Sequence, residues 1–298
     1  MSVLVTGGAG YIGSHMVLAL ADAGEDVTVL DNLSTGLRTA VDARAELVEG
    51  DIGDAELVRS TINRKNITDV VHFAGSIVVP ESVADPLKYY ANNTAKTRSL
   101  IECCVTENVP RFVFSSTAAV YGSPEQVPVT EDVQLNPMSP YGRSKLMSEW
   151  MLQDVSAAHE LNYVVLRYFN VAGADPAGRS GQSTKDATHL IKVAVQAALG
   201  IRDHMKIFGD DYATMDGTGV RDYIHVSDLI SAHEAAVKYL RSGGDSLTAN
   251  CGYGHGSSVK QVIEAVERVA GKKIEARLDA RRAGDPAEIV ADADLAQR

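Results

Sequence analysis

The segment that most limits what this chain can fold into is Thr6-Gly7-Gly8-Ala9-Gly10-Tyr11-Ile12-Gly13, which reads G-x-x-G-x-x-G from Gly7 and G-x-G-x-x-G from Gly8. Ahead of it Ser2–Val5 is a short strand-like run. Behind it Tyr11–Ala23 has helical apolar spacing and stops before Gly24, and Val27–Leu30 reads as a second strand. A glycine-rich turn between strand and helix lets backbone N–H groups approach a pyrophosphate, and the helix N-terminus adds partial positive charge. Asp31 follows Gly13 by 18 residues, where a carboxylate accepts ribose hydroxyls and repels a 2′-phosphate. The segment therefore predicts an NAD site, with a plain glycine-rich turn and a loop aspartate as the alternative. Arg38 weakens the preference for NAD if it folds back over the ribose.

Further apolar runs at Glu46–Val48, Val70–Phe73, Phe112–Ser115 and Tyr163–Arg167 alternate with helical stretches at Glu56–Arg64, Ala95–Glu107 and Ser144–Ala158. That rhythm predicts an α/β fold with a Rossmann-type doubly wound parallel sheet. It breaks at Gly173–Thr188, rich in Gly, Ser, Asp and Pro and read as a loop. Downstream come a helix near His189–Leu199, a strand near Lys206–Phe208, turns over Gly209–Gly219 and a helix near Val259–Ala270. The expected division is an NAD-binding domain over residues 1–170, to which 221–250 returns, and a smaller C-terminal α/β substrate domain over 171–220 and 251–298. Asp294–Arg298 resembles the first turns of a helix without a stop signal, so the chain is expected to continue.

Asp51-Ile52 and Phe73-Ala74-Gly75 follow predicted strands, at the strand ends where open α/β sheets bind ligands. Asp51 is read either as a partner for the adenine amino group or as a helix cap ahead of Glu56.

The second chemical signal is Ser139-Pro140-Tyr141-Gly142-Arg143-Ser144-Lys145. Ser caps, Pro opens the helix, and Tyr141 and Lys145, four apart, share one face. Beside a nicotinamide, the Lys145 ammonium and the positive ring would both stabilise a tyrosinate. Moving a tyrosine pKa from about 10 to near 7 takes roughly 4 kcal/mol, within reach of two cations in a desolvated pocket. Tyr141 is then a general base; a surface Tyr–Lys pair is the alternative. Phe112–Gly122 supplies a hydroxyl at Thr117 that can bridge a substrate oxygen and Tyr141 without carrying charge, or that simply belongs to a β-branched residue ending a strand.

Composition excludes several other classes. A formal charge of −11 at pH 7 repels polyanions, so no nucleic-acid partner is expected and an anionic ligand must meet local Arg or Lys. Cys103, Cys104 and Cys251 lack zinc-site or disulfide spacing, and no metal is expected. No stretch approaches the length of a membrane span, and Met1–Thr6 runs straight into a strand, so a cytoplasmic location without membrane association is expected.

With cradle, hydroxyl and Tyr-x-x-x-Lys in this order, the chain resembles the extended short-chain dehydrogenase/reductase family, and within it the UDP-glucose (UDP-galactose) 4-epimerases. The likeness runs nearly end to end and includes Asp31-Asn32-Leu33, Glu49-Gly50-Asp51-Ile52, His72–Gly75, Tyr89–Asn93, Leu166–Asn170, Gly217–Val226 and Arg281–Asp285. The resemblance implies a tightly held NAD contacted by Gly7, Gly10, Tyr11, Ile12, Gly13, Asp31, Asn32, Asp51, Ile52, Phe73, Ala74, Gly75, Asn92, Ser115, Tyr141, Lys145 and Phe169. It implies a UDP-sugar substrate met by Thr117, Tyr141, Asn170, His189, Leu190, Lys206, Ile207, Phe208, Arg221, Arg282 and Asp285. Arg221 and Arg282 would hold the pyrophosphate, as guanidinium forks suit; surface or helix-end charges are the alternative. A homodimer formed through the Ala95–Glu107 and Ser144–Ala158 helices is also implied.

The chain departs from that family at several points. Thr117 replaces a common Ser, His189 a common Asn, and Ile77 a lysine that many members carry near the cofactor. Ile289 is intermediate in size at a position that gates N-acetylated sugars, so a 4-epimerase of UDP-N-acetylhexosamines is the alternative reading, with other NAD-dependent nucleotide-sugar enzymes behind it. Dehydratases place Asp and Glu after the Ser/Thr; here Ala118 and Ala119 stand there, which argues against elimination. Net reduction of a carbonyl substrate and a catalytically dead dinucleotide sensor are further alternatives, the latter disfavoured by the presence of both Tyr141 and Lys145.

Overall fold

In the computed structural model, which describes residues 1–184, 187–282 and 285–297, strand and helix alternate from the first residues. The chain opens with β1 (Ser2–Thr6), α1 (Tyr11–Asp22), β2 (Asp26–Asp31), β3 (Glu46–Glu49), α2 (Ala55–Lys65) and β4 (Asp69–His72). Short helices α3 (Val79–Ala84) and α4 (Pro86–Tyr89) and a π-helical turn over Tyr90–Ala95 lead into α5 (Lys96–Thr106). Next come β5 (Arg111–Ser115), α6 (Pro140–Ala158), β6 (Asn162–Tyr168), β7 (Asn170–Ala172), α7 (Leu190–Ala198) and β8 (Met205–Phe208). The rest is β9 (Val220–His225), α8 (Val226–Arg241), β10 (Leu247–Cys251), β11 (Gly256–Ser258), α9 (Val259–Ala270), β12 (Ala276–Asp279) and β13 (Glu288–Ile289).

Seven strands form one sheet in the order β10-β6-β5-β4-β1-β2-β3, every neighbour parallel. A parallel sheet covered on both faces needs continuous apolar strands rather than alternating ones, and Val3-Leu4-Val5, Val70-Val71 and Phe112-Val113-Phe114 supply them, all buried. On one face α1 and α8 pack through Met16, Val17, Leu20, Leu229, Ile230 and Val237. On the other, α2, α5 and α6 pack through Val58, Ile62, Leu100, Ile101 and Leu152. The sheet is thus doubly wound, as the alternation predicts. The chain steps outward from β1 to β3 and returns to β4, so the crevice where ligands bind lies at the carboxyl ends of β1 and β4.

The remaining strands form small sheets beside that crevice. β9 pairs with β7, β11 and β13, and β8 pairs with β12. Residues 221–225 therefore sit in a small sheet, whereas α8 and β10 rejoin the large one. The apolar spacing over Val226–Arg241 carries no separate helix expectation in the sequence, yet α8 forms there. β9 passes into α8 without a loop, and the helix is capped by the His225 Nδ1, which accepts from Ser227 N–H at 3.2 Å in place of the usual Ser, Thr, Asp or Asn.

One helix start differs from expectation and another agrees with it. α2 is capped by Asp54, which accepts from the Leu57 N–H at 3.1 Å, so Asp51 is not the cap. α6 begins at Pro140, capped by Ser139, and so takes Tyr141 and Lys145 into its first turns. The segment Gly173–Thr188 has no helix or strand among its described residues; Lys185 and Asp186 lie outside them, as do Ala283, Gly284 and Arg298 of the other segments singled out above. All three cysteines are free and buried. Among the described residues no helix is long and apolar enough to cross a membrane.

Candidate active site

The cradle is built from backbone. Gly7 has φ +71°, and a β-carbon there would lie 2.6 Å from the Ala74 nitrogen, so only glycine lets β1 and β4 approach at their ends. Gly13 packs equally close, with a β-carbon falling 2.2 Å from the Gly7 carbonyl oxygen. No side chain caps α1 at Gly10, which leaves the first N–H groups of that helix for an anion. The Asp31 carboxylate is buried at the rim and fixed by two N–H donors, Ala9 to Oδ2 at 2.9 Å and Leu33 to Oδ1 at 2.8 Å. Arg38 pairs with Glu49 and does not fold back over this rim.

Around Asp31, Asn32 donates to Asp51 Oδ2 at 3.1 Å. Burial opposes ionisation of Asp51, but the Lys96 ammonium at 2.6 Å, the Gly53 N–H and the Asn32 amide outweigh it and hold the carboxyl below its usual range. Ile52 and Ile12 turn their side chains into the core. Tyr11 donates to the Gly173 carbonyl at 2.7 Å, tying the cradle to the loop after β7. Phe73 packs against His233, ring centres 4.8 Å apart, and Asn92 donates to the Ser76 hydroxyl at 3.0 Å.

Tyr141, Lys145 and Thr117 meet at this edge, all buried. Lys145 Nζ donates to the Ser115 carbonyl at 3.0 Å and lies 4.8 Å from the centre of the Phe114 ring. A β-carbon on Gly75 would stand 3.6 Å from that ammonium, so the segment after β4 borders Lys145 directly. Burial pushes Lys145 down to about 8, partly countered by the negative charge of Glu149. The Tyr141 phenol moves the other way: burial raises it, and the Thr117 hydroxyl alongside eases it downward. In the protein by itself, then, Lys145 does not bring Tyr141 below its usual range, and the lowering expected from the sequence requires the second cation, the nicotinamide. Thr117 also accepts from the Ala119 N–H at 3.1 Å, capping a short 3-10 turn over Ala118–Val120. The Ser115 hydroxyl pairs with the Tyr168 phenol at 2.8 Å.

The residues that the resemblance assigns to a substrate lie mostly on or beside the small sheets. Arg221 in β9 donates to the Val220 carbonyl at 2.8 Å, and its other terminal nitrogen is 3.8 Å from the Asp285 carboxylate. The Arg282 guanidinium lies 3.8 Å over the Phe208 ring. Lys206 shares the Phe208 side of β8 and pairs with Asp279 at 2.8 Å, whereas Ile207 and Leu190 pack into the core between α7 and α9. Asn170 opens β7 opposite Tyr223. His189 precedes α7; its Nδ1 is 2.7 Å from the Gln182 amide nitrogen, and burial pushes the ring's pKa down. Phe169 packs with Ala118, Leu146 and Ile289.

Two features escaped the reading of the sequence. Asn93, in the π-helical turn, accepts from the Ser76 N–H at 2.8 Å and donates to the Ser144 hydroxyl at 3.1 Å, clamping the segment after β4 to α6. The pattern Tyr89–Asn93 is visible in the sequence, but nothing local shows that Asn93 is the buried asparagine. The second is a buried carboxylate on α6, Glu149, paired with Arg167 of β6.

Comparison with known proteins bears on this geometry. Residues 3–252 match the model of the NAD dependent epimerase/dehydratase family. A protein of Azospirillum brasilense named UDP-glucose 4-epimerase is 58% identical over 292 residues, covering 98% of this chain and 84% of that protein. The crystal structure of a UDP-glucose 4-epimerase from Brucella ovis in complex with NAD superposes with a TM-score of 0.96 at 46% identity, covering 99% of this chain and 90% of that one. A UDP-glucose 4-epimerase from Bifidobacterium longum in complex with NAD+ and UDP gives 0.95 at 39% identity, covering 100% and 91%.

Proposed function

This chain belongs to the NAD dependent epimerase/dehydratase family, and we infer that it interconverts UDP-glucose and UDP-galactose by inverting C4. It is an NAD-dependent UDP-glucose 4-epimerase, a reading supported by full-length relatives of that name. The residues present fit NAD: an uncapped helix N-terminus waits for a pyrophosphate, and the buried Asp31 carboxylate, aimed by Ala9 and Leu33, waits for ribose hydroxyls. When bound, NAD would supply a reversible acceptor for the C4 hydride of the sugar and the positive nicotinamide charge that favours an ionised Tyr141.

Tyr141 takes the 4-OH proton and returns it, with the Thr117 hydroxyl bridging to the same oxygen. Lys145, on the same helix face as Tyr141 and held to the Ser115 carbonyl, supplies one cation to the site, and the ionised phenol is favoured only when the nicotinamide adds the second. Ala118 and Ala119 offer neither acid nor base, so the 4-keto sugar loses no water and is reduced again. Inversion requires the sugar to turn while the UDP stays. Arg221 and Arg282 grip the pyrophosphate, Asp285 the uridine ribose, and Phe208, Lys206 and Leu190 border the uracil; Asn170 and His189 offer single hydrogen bonds.

The observation that carries the reading is the meeting of Thr117, Tyr141 and Lys145 beside the cradle, with alanines where an eliminating enzyme needs carboxyls. We also propose a homodimer built on α5 and α6, supported by Trp150 of α6, half exposed on the described surface, and a cytoplasmic location, which suits three free thiols. The test of the reaction is to incubate the purified protein with UDP-galactose, without added reduced cofactor, and resolve the products. UDP-glucose is expected; a 4-keto-6-deoxy sugar or net formation of reduced cofactor refutes the reading.

A further inference from the structure

Ser116 sits between two residues of the site, Ser115, whose carbonyl accepts from Lys145, and Thr117, whose hydroxyl adjoins Tyr141. Its own hydroxyl is buried and donates to the Glu149 carboxylate. Glu149 lies on α6 four residues after Lys145 and eight after Tyr141, one and two turns along the same face, and is fully buried. Arg167 of β6 forks that carboxylate, with Nη2 donating to Oε2 at 2.6 Å and Nε donating to both oxygens at 3.2 Å. Arg167 Nη1 donates to the Tyr121 phenol at 3.0 Å, and Tyr121 donates to Asn250 of β10 at 2.7 Å. A buried ion pair is a poor source of stability, because desolvation of both charges offsets their attraction. What this one does is tie the three-residue segment that touches both Lys145 and Tyr141.

We propose that Glu149, balanced by Arg167, is a positioning residue for the C4 reaction: it anchors Ser116 so that Thr117 stays against Tyr141, and it holds a negative charge one turn from Lys145 that keeps the ammonium charged. The inference rests on the epimerase reading. The charged and titratable groups facing Glu149 are Lys145 on its own helix, Arg167 and Tyr163 on β6, and Tyr121 beyond β5, with Glu131 on the far side of Arg167.

The sign follows from charge. Glu149→Gln leaves the Arg167 cation unbalanced near Lys145, which then loses its proton more readily; Arg167→Met leaves the carboxylate unbalanced and has the opposite effect. The test is the pH profile of UDP-galactose epimerisation by wild type, both variants, the double variant and Ser116→Ala. The alkaline limb is expected to move down by about half a pH unit or more in Glu149→Gln, up in Arg167→Met, and back towards wild type in the double variant. In both single variants kcat falls about tenfold with KM within about twofold. Ser116→Ala leaves the ion pair whole, spares the fold, and lowers kcat about tenfold without moving the limb. Limbs that stay put or move the same way in both ion-pair variants overturn the proposal. Should those variants misfold, Ser116→Ala still decides, since an unchanged kcat overturns it. A wild type that fails to epimerise overturns the reading of the reaction and this inference with it; an active wild type with unmoved limbs overturns this inference alone.

Discussion

Replacing Lys145 by Met should make the cofactor-free protein more stable at neutral pH while removing its activity. A lysine that ordinarily titrates at 10.5 is pushed down to about 8 by burial, which at about 1.4 kcal/mol per pKa unit means that the ammonium is held at a cost of roughly 3 kcal/mol. Because the folded state binds its proton less tightly than the unfolded chain, the cost is complete below pH 8, fades as pH rises from there, and is gone above 10.5. Methionine fills similar volume without charge but leaves the Ser115 carbonyl without its donor, a loss of about 1–2 kcal/mol that does not depend on pH. The balance is a variant more stable than wild type by about 1–2 kcal/mol at pH 6.5 and less stable by a similar amount at pH 10.5. Urea unfolding of both proteins, stripped of cofactor, across that range measures the gap. A gap that does not change with pH would refute the claim that the site stores a destabilised cation. Turnover by the same variant should fall by about 100-fold or more.

Other substitutions separate the remaining roles. Thr117→Val should lower kcat by about 10–100-fold, whereas Thr117→Ser keeps the hydroxyl and most of the rate; a Val variant that stays active in steady-state assays while the Ser variant loses its rate would mean that the methyl group rather than the hydroxyl matters. Asp31→Asn leaves one of the two N–H groups at the rim facing another donor and should weaken NAD binding about tenfold by titration calorimetry, with unaltered affinity counting against a ribose contact. Wild type should turn over UDP-N-acetylglucosamine, and Ile289→Tyr should cut that activity about tenfold or more while leaving UDP-galactose turnover within about twofold. Failure of wild type to accept the acetamido sugar disposes of Ile289 as a permissive gate.

What could be read from the sequence was what is local. Gly7 to Gly13 announces its turn because strand, glycines and helix are adjacent, and Tyr141 and Lys145 announce one face because they are four apart on a helix whose cap and first proline are visible. Apolar runs at β1, β4 and β5 gave away a parallel sheet for the same reason. Features that depend on packing were hidden. Asp51 and Asp54 are equally plausible caps until α2 is placed, and His225 caps α8 with a ring nitrogen that no simple signal anticipates. Glu149 looks like an ordinary helix-surface charge; only the docking of α6 on β6 brings Arg167, 18 residues on, to its carboxylate. The proximity of Gly75 to Lys145 is likewise a product of neighbouring strand ends, as is the upward shift of Tyr141, which follows from a burial that the sequence does not display.

The central claim is that C4 of the sugar gives up its hydride inside the site and receives the same hydride back on the opposite face, with Tyr141 moving only the proton. UDP-galactose deuterated at C4 tests this most directly, with the UDP-glucose product isolated after conversion in ordinary water and analysed by mass spectrometry and proton NMR. The account predicts that the product keeps its deuterium at C4. Loss of that deuterium to solvent, with hydrogen appearing at C4, would contradict it, because the carbon would then have been inverted by proton exchange rather than by a returned hydride.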